Sequence, residues 1–122
     1  MDTPISASDI IARYRSGERS FVDLELDDEP LDLSSVTLAG ADFSRCFIFA
    51  SFRGADLSGA IFNDSNVKAC DFTDANLAGA SFRNAAIDGA VFTGDLGGTT
   101  FDGASWYGHV FLPGENPHTT PT

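Results

Sequence analysis

The chain is short of positive charge. Its 122 residues hold seven Lys and Arg against 18 Asp and Glu, a formal net charge of −11. A general nucleic-acid binder neutralises phosphates with a basic surface, so direct binding to DNA, RNA or an anionic membrane is disfavoured, whereas a basic protein partner suits the charge. Histidine is scarce too. His109 falls at an inward or capping position and His118 in the C-terminal tail. Neither joins a Ser/His/Asp or Cys/His grouping, so the chain reads as a non-enzyme without a cofactor. The two cysteines, Cys46 and Cys70, lack the paired spacing of a zinc site and read as reduced core thiols. No apolar run approaches the ~20 residues of a membrane span. The N-terminal "MDTPISASDIIARYR" has no basic start followed by an apolar stretch, so a cytoplasmic location is the expectation.

What the chain has is a beat. Large apolar residues recur every five positions at Phe52, Leu57, Phe62, Val67, Phe72, Leu77, Phe82, Ile87 and Phe92. The beat continues upstream, one residue out of phase, through Leu33, Leu38, Phe43 and Ile48, and downstream, one residue short, through Leu96, Phe101, Trp106 and Phe111. Two positions before most of these stands a small residue such as Ala55, Ala60, Ser65, Cys70 or Ala80. In extended chain, residues two apart point to the same side. Each five therefore faces one bulky and one small residue inward, and its remaining residues face outward and turn a corner.

Like residues align at a lag of about 20: Leu38, Leu57, Leu77 and Leu96 in one column, Phe43, Phe62, Phe82 and Phe101 in the next. Ile48, Val67, Ile87 and Trp106 make a third, and Leu33, Phe52, Phe72, Phe92 and Phe111 a fourth. Four fives per turn describe a four-sided coil that packs like on like in repeated layers. Gly40, Gly59, Gly79 and Gly98 each follow the leucine column by two. That corner needs positive φ or a close backbone approach.

The segments "GADLSGAIF", "ACDFTDANLAGASF" and "NAAIDGAVF" resemble the pentapeptide repeat, A-(D/N)-L-x-x, over about residues 21–112. The resemblance implies an all-β fold, a right-handed quadrilateral β-helix (a solenoid) of about four coils; the handedness comes from the family alone. "CFIFA" departs from the pattern, with Phe47 where Asp or Asn is usual, and "TFDGA" and "SWYGH" fit loosely.

Three breaks interrupt the beat. Leu33 follows Leu26 by seven positions instead of five, which reads as a two-residue insertion at "DDEP" forming a surface loop. Residues 21–32 hold Asp23, Glu25, Asp27, Asp28, Glu29 and Asp32 and no base. They form either a solvated edge that blocks strand-on-strand aggregation or an acidic docking patch for a basic partner. In "CFIFASF", Ile48 faces inward, so Phe47 and Phe49 face outward as a recognition patch, unless the shortened corner turns one inward or the N-terminal segment covers them. The third break, "TGDLGG", suggests a tight or flexible corner.

The ends of a coil need caps. Residues 6–17 read as a short capping helix: Ser6 and Asp9 have capping-box spacing, Ala7, Ile10, Ile11 and Tyr14 make an apolar face, and Gly17 suits the stop. Trp106, Tyr107 and Phe111 are candidates to plug the last coil or to pair with a second copy as a homodimer. The segmentation expected is helix and linker over 1–20, β-helix over 21–112 and a disordered tail over 113–122.

The many Asp residues do not make a calcium site. "DFTDANLAG" lacks the ligand pattern of an EF-hand loop, and "GGTTFD" has Thr100 where the nonapeptide calcium repeat requires Gly. They read as solvated or turn-bonding side chains.

Two functions remain. One is a small protein–protein interaction module using the acidic end and Phe47/Phe49. The other is implied by the resemblance: an acidic DNA mimic that binds a type II topoisomerase such as gyrase as a dimer. Roughly four coils at ~4.8 Å span about 19 Å, over which DNA carries about 11 charges. Residues 33–112 carry eight acids and four bases, a net of −4, so one copy is too short and too mildly charged. The interaction module ranks first.

Overall fold

The computed structural model describes residues 4–119. Each regular corner is built the same way. Two residues past the inward bulky side chain the backbone enters the left-handed region, as at Gly59 (φ 67°), Gly79 (φ 73°) and Asp64 (φ 61°). The next N–H then bonds back to the bulky residue's carbonyl, Ala60 to Leu57 at 2.9 Å and Ala80 to Leu77 at 3.0 Å. Positive φ at the third residue of a four-residue turn is the type II requirement. Of the glycines expected at the leucine corner, Gly98 alone lacks positive φ; a Cβ there would stand 3.9 Å from the Gly79 nitrogen, an ordinary contact, so neither reason for glycine applies at that corner.

Between corners, each short run pairs in parallel with the run about 20 residues later. One set of bridges joins Asp42, Ile61, Ser81 and Thr100, a second Phe47, Asn66, Ala86 and Ser105, and a third Thr37, Asp56 and Asn76. On the fourth side lies the parallel sheet of β1 (Glu25–Asp32), β2 (Phe47–Ser51), β3 (Asp71–Phe72) and β4 (Val91–Phe92). Four sets of bridges make the four sides of the β-helix read from the sequence.

The core is stacked phenylalanine. Phe21, Phe43, Phe62, Phe82 and Phe101 form one column of near-parallel rings at 5.2, 5.3, 4.9 and 5.2 Å. Phe52, Phe72 and Phe92 form another at 5.1 and 5.0 Å. These intervals match the strand spacing of ~4.8 Å. The two columns meet edge to face, Phe62 against Phe72 at 80° and Phe72 against Phe82 at 86°, a geometry that aromatic quadrupoles favour.

Both ends are closed. Helix α1 (Ala7–Arg15) starts at Ser6, with both halves of the capping box formed between Ser6 and Asp9, and Gly17 takes φ 104° after its end. Ile10 is fully buried, and Ile5, Ala7, Ile11 and Tyr14 pack on the core. The Tyr14 hydroxyl donates to the Ala39 carbonyl at 2.7 Å.

The C-terminal end differs from the expectation. The parallel ladder does not continue to residue 112. After β5 (Ser105–Trp106) the chain reverses into β6 (His109–Val110), antiparallel to it. Tyr107 (φ 49°) and Gly108 (φ 86°) form the two-residue turn, with positive φ at both positions as a tight hairpin demands. Phe111 therefore leaves the column assigned to it and meets Phe101 edge-on at 6.1 Å.

The tail, for which disorder was expected, makes contacts as far as Thr119. Asn116 is buried, its Oδ1 accepts from the His118 N–H at 2.8 Å, and the His118 ring bonds the Phe92 carbonyl at 3.0 Å. Phe92 lies on β4, the last strand of its sheet, which leaves its carbonyl open to the tail. The part of that expectation covering residues 120–122 lies outside the described residues, as do residues 1–3.

Candidate interaction surface

At the second break the missing residue is the left-handed one. Only three residues separate Ile48 from Phe52, and no residue from Phe47 to Arg53 has positive φ. Without a turn residue the chain stays extended, and β2 alternates exposed and buried: Ile48 and Ala50 face in, Phe47 and Phe49 face out. Phe47 is 50% exposed and Phe49 40%. Neither is twisted into the core nor covered by α1.

The acidic segment lies along the same strand. β1 pairs with β2 through Glu25 opposite Phe47, Leu26 opposite Ile48, Leu31 opposite Ala50 and Asp32 opposite Ser51. Residues 27–30 thus bulge outward opposite the single residue Phe49, which is the insertion expected at "DDEP". The six acids do not behave alike. Asp23 is held by Arg45 through two bonds of 2.7 and 3.2 Å, and the guanidinium keeps its carboxyl below the usual range. Asp32 accepts from the Ser34 hydroxyl and N–H, which lower its pKa likewise. Glu25, Asp27, Asp28 and Glu29 are exposed and form no ion pair among the described residues. A groove of about 470 Å³ separates their strand from residues 4–8 at the start of α1, with Ile5, Leu26 and Leu31 among its lining.

Trp106, Tyr107 and Phe111 do not form a common plug. Phe111 is buried and Trp106 half-buried, its Nε1–H enclosed without an acceptor among the described residues. Tyr107 is 72% exposed at the hairpin turn, with its hydroxyl lying over the corner at Gly89. His109 faces outward rather than inward, edge-on to Phe111 at 5.1 Å with Nε2 3.3 Å from Glu115 Oε1. Exposed Val110 and Leu112 beside Tyr107 were missed; the signal was "YG", a two-residue hairpin turn inside a loosely fitting repeat.

The outward Asp residues of the coils bond locally. Asp42, Asp56 and Asp71 each accept from the N–H two residues on, Ser44, Ser58 and Thr73, at 2.9, 3.0 and 2.9 Å. Such a bond steadies the corner that follows, the physical use of Asp or Asn just before the bulky residue. Arg53 reaches Asp71 at 3.1 Å and Arg83 reaches Asp102 at 3.7 Å across neighbouring coils. Among the described residues no group of three metal-ligating side chains comes together, and no helix is long and apolar enough to cross a membrane.

Comparison with known proteins agrees with this architecture. Pentapeptide repeats, in eight copies, match residues 32–72 and 62–94. No curated protein sequence matches the chain. Among solved structures, a pentapeptide repeat protein from the Arabidopsis thaliana thylakoid lumen is 24% identical with a TM-score of 0.54, over 74% of this chain and 67% of that one. HetL, a pentapeptide repeat protein involved in heterocyst differentiation regulation from the cyanobacterium Nostoc sp. strain PCC 7120, is 25% identical with a TM-score of 0.40. The match covers 81% of this chain and 42% of HetL. A plasmid-mediated fluoroquinolone resistance protein is 16% identical over 78% of this chain and 87% of its own, at a TM-score of 0.27. The first of these likenesses shows the fold, a right-handed β-helix. The chain belongs to the pentapeptide-repeat family.

Proposed function

We propose that the chain is a non-enzymatic protein–protein interaction module that engages its partner at the N-terminal end of the coil, in the cytoplasm. The observation that carries this reading is the outward pair Phe47 and Phe49. A coil that buries eight phenylalanines almost completely leaves these two in solvent, beside acids that form no ion pair among the described residues. Aromatic side chains make the central anchors of protein interfaces, with polar and charged groups around them at the rim. Affinity capture from a cell extract tests the reading, comparing the wild type, Phe47→Ala/Phe49→Ala and a distant control, Asn84→Ala. Proteins retained by wild type and control but lost by the double variant are expected. An unchanged set of captured proteins would remove the reading.

A second reading is the topoisomerase-binding DNA mimic, acting as a dimer. What favours it is the exposed Tyr107, Val110 and Leu112 at the C-terminal hairpin, a surface a second copy would cover. The charge pattern supports it less, since Asp71 and Asp102 face arginines. Light scattering at low and high salt decides whether a dimer exists. A dimer at both salts that disperses with Val110→Asp/Leu112→Asp, and that changes gyrase supercoiling, would put this reading first. A monomer throughout would eliminate it.

A further inference from the structure

We propose that the Phe47/Phe49 surface receives an extended, arginine-bearing segment of a protein, with guanidinium groups stacking on the two rings and pairing with the acids beside them. This rests on the interaction-module reading and names the chemistry of the partner.

The exposed aromatic pair sits beside charge that complements a cationic partner. Strand register puts Glu25 next to Phe47, and the bulge of residues 27–30 next to Phe49, so each ring has a carboxylate neighbour. Among the described residues those carboxylates form no ion pair, for a reason visible in the fold. The bases nearest in the chain are engaged elsewhere: the Arg19 guanidinium lies 3.6 Å from the Tyr14 ring centroid and donates to the Tyr14 carbonyl, and Arg45 holds Asp23. The one cation at the corner equivalent to Phe49, Lys68, sits a coil further on, as the bridge from Phe47 to Asn66 requires. A cationic segment is thus repelled from that side and drawn to the acidic one.

Arginine fits better than lysine. Its planar guanidinium stacks on a ring face and forks onto a carboxylate at once, whereas an ammonium is a hydrated point charge. The groove beside β1, about 470 Å³, is lined by Glu25, Asp28 and Glu29 but by neither ring, and so has room for the aliphatic stem of another long side chain of the segment. Addition of a partner strand to the β1 edge is the wrong mode. Pro30 lacks an N–H and the bulge breaks the register, which are devices that block edge pairing.

The test is titration of the isotope-labelled full chain with a synthetic nonapeptide alternating Arg and Gly, and with its Lys counterpart, followed by amide shifts. Shifts are expected to cluster at residues 25–32 and 47–51, with the Arg peptide binding about threefold tighter than the Lys peptide. Phe47→Ala/Phe49→Ala should weaken the Arg peptide on the order of tenfold. Phe47→Leu/Phe49→Leu, which keeps the apolar bulk, should remove the preference for Arg. Asp28→Asn/Glu29→Gln should weaken both peptides and reduce their salt dependence. Equal binding of the two peptides with the Phe variants unaffected would overturn the proposal in favour of general attraction between polyelectrolytes. No binding by either peptide would overturn it as well, as would a dimer that Phe47→Ala/Phe49→Ala converts to monomer. In all three cases the capture experiment still decides the broader reading by itself.

Discussion

The Phe62 ring lies 4.9 Å from the Phe82 ring and 6° from parallel. Phe62 also stacks on Phe43 and meets Phe52 and Phe72 edge-on, so it is shared between both aromatic columns. Phe62→Ala should cost about 3–5 kcal/mol, since no neighbour can collapse into the space without leaving its own layer. The midpoint of urea denaturation measures this. Phe62→Leu, which keeps part of the volume, should cost less.

The Ser65 hydroxyl fills a gap in the corner at Phe43. It accepts from the Cys46 N–H at 3.0 Å and donates to the Phe43 carbonyl, two groups that bond each other directly at a regular corner. Ser65→Ala would orphan both in the interior, and a destabilisation of about 1–3 kcal/mol is expected. Ser65→Cys should cost less, because thiols already serve this role: Cys46 donates to the Phe21 carbonyl and Cys70 to the Ile48 carbonyl. Denaturation of the two variants in parallel checks the order.

Ala69 occupies a left-handed corner position at φ 62°. An L side chain there costs about 1–2 kcal/mol, of which glycine returns part through the greater entropy of the unfolded chain. Ala69→Gly should raise stability by about 0.5–1 kcal/mol. A lower melting temperature would show that the corner is not strained.

Acid should weaken the protein through its turn carboxylates. Bonds from Ser58 to Asp56 and from Thr73 to Asp71, with Arg53 adding to the latter, hold both carboxyls below the ordinary carboxylate range. A folded pKa below the unfolded value of ~3.9 stabilises the native state at neutral pH. That contribution fades as pH falls below the unfolded value and through the lower folded ones. The denaturation midpoint should hold steady between about pH 7 and 5 and drop below about 4. Asp71→Asn, which keeps the acceptor and removes the charge, should flatten that drop.

Neither thiol should react in the folded protein. Burial pushes the Cys70 pKa up to about 12 and raises that of Cys46, and the thiolate is the reactive form. Ellman's reagent at mildly alkaline pH should find no thiol in the native state and both after denaturation. Rapid native reaction of Cys70 would mean that the coil opens near Ala50 and Ile48.

Sequence alone determined the inward columns, the four sides and the N-terminal cap. Each follows from a local rule repeated many times: a bulky residue every five, a small one two before it, and Ser6 three before Asp9. Repetition averages out exceptions such as Phe47 in "CFIFA". Sequence also located the insertion at residues 27–30 and marked Phe47 and Phe49 as outward if the shortened corner stayed extended. Only the tertiary structure decided that it does, by pairing β2 with a strand on each side so that the missing turn residue could not be replaced by a twist inward. The C-terminal end was decided there too. Phe111 keeps the five-residue beat, but a beat records spacing and not direction. The positive φ at Tyr107 and Gly108 reverses the chain and carries Phe111 against Phe101 instead of Phe92. The acids divide for the same reason: Asp23 and Glu25 look alike in sequence, yet Arg45, 22 residues away in the chain, reaches Asp23 alone.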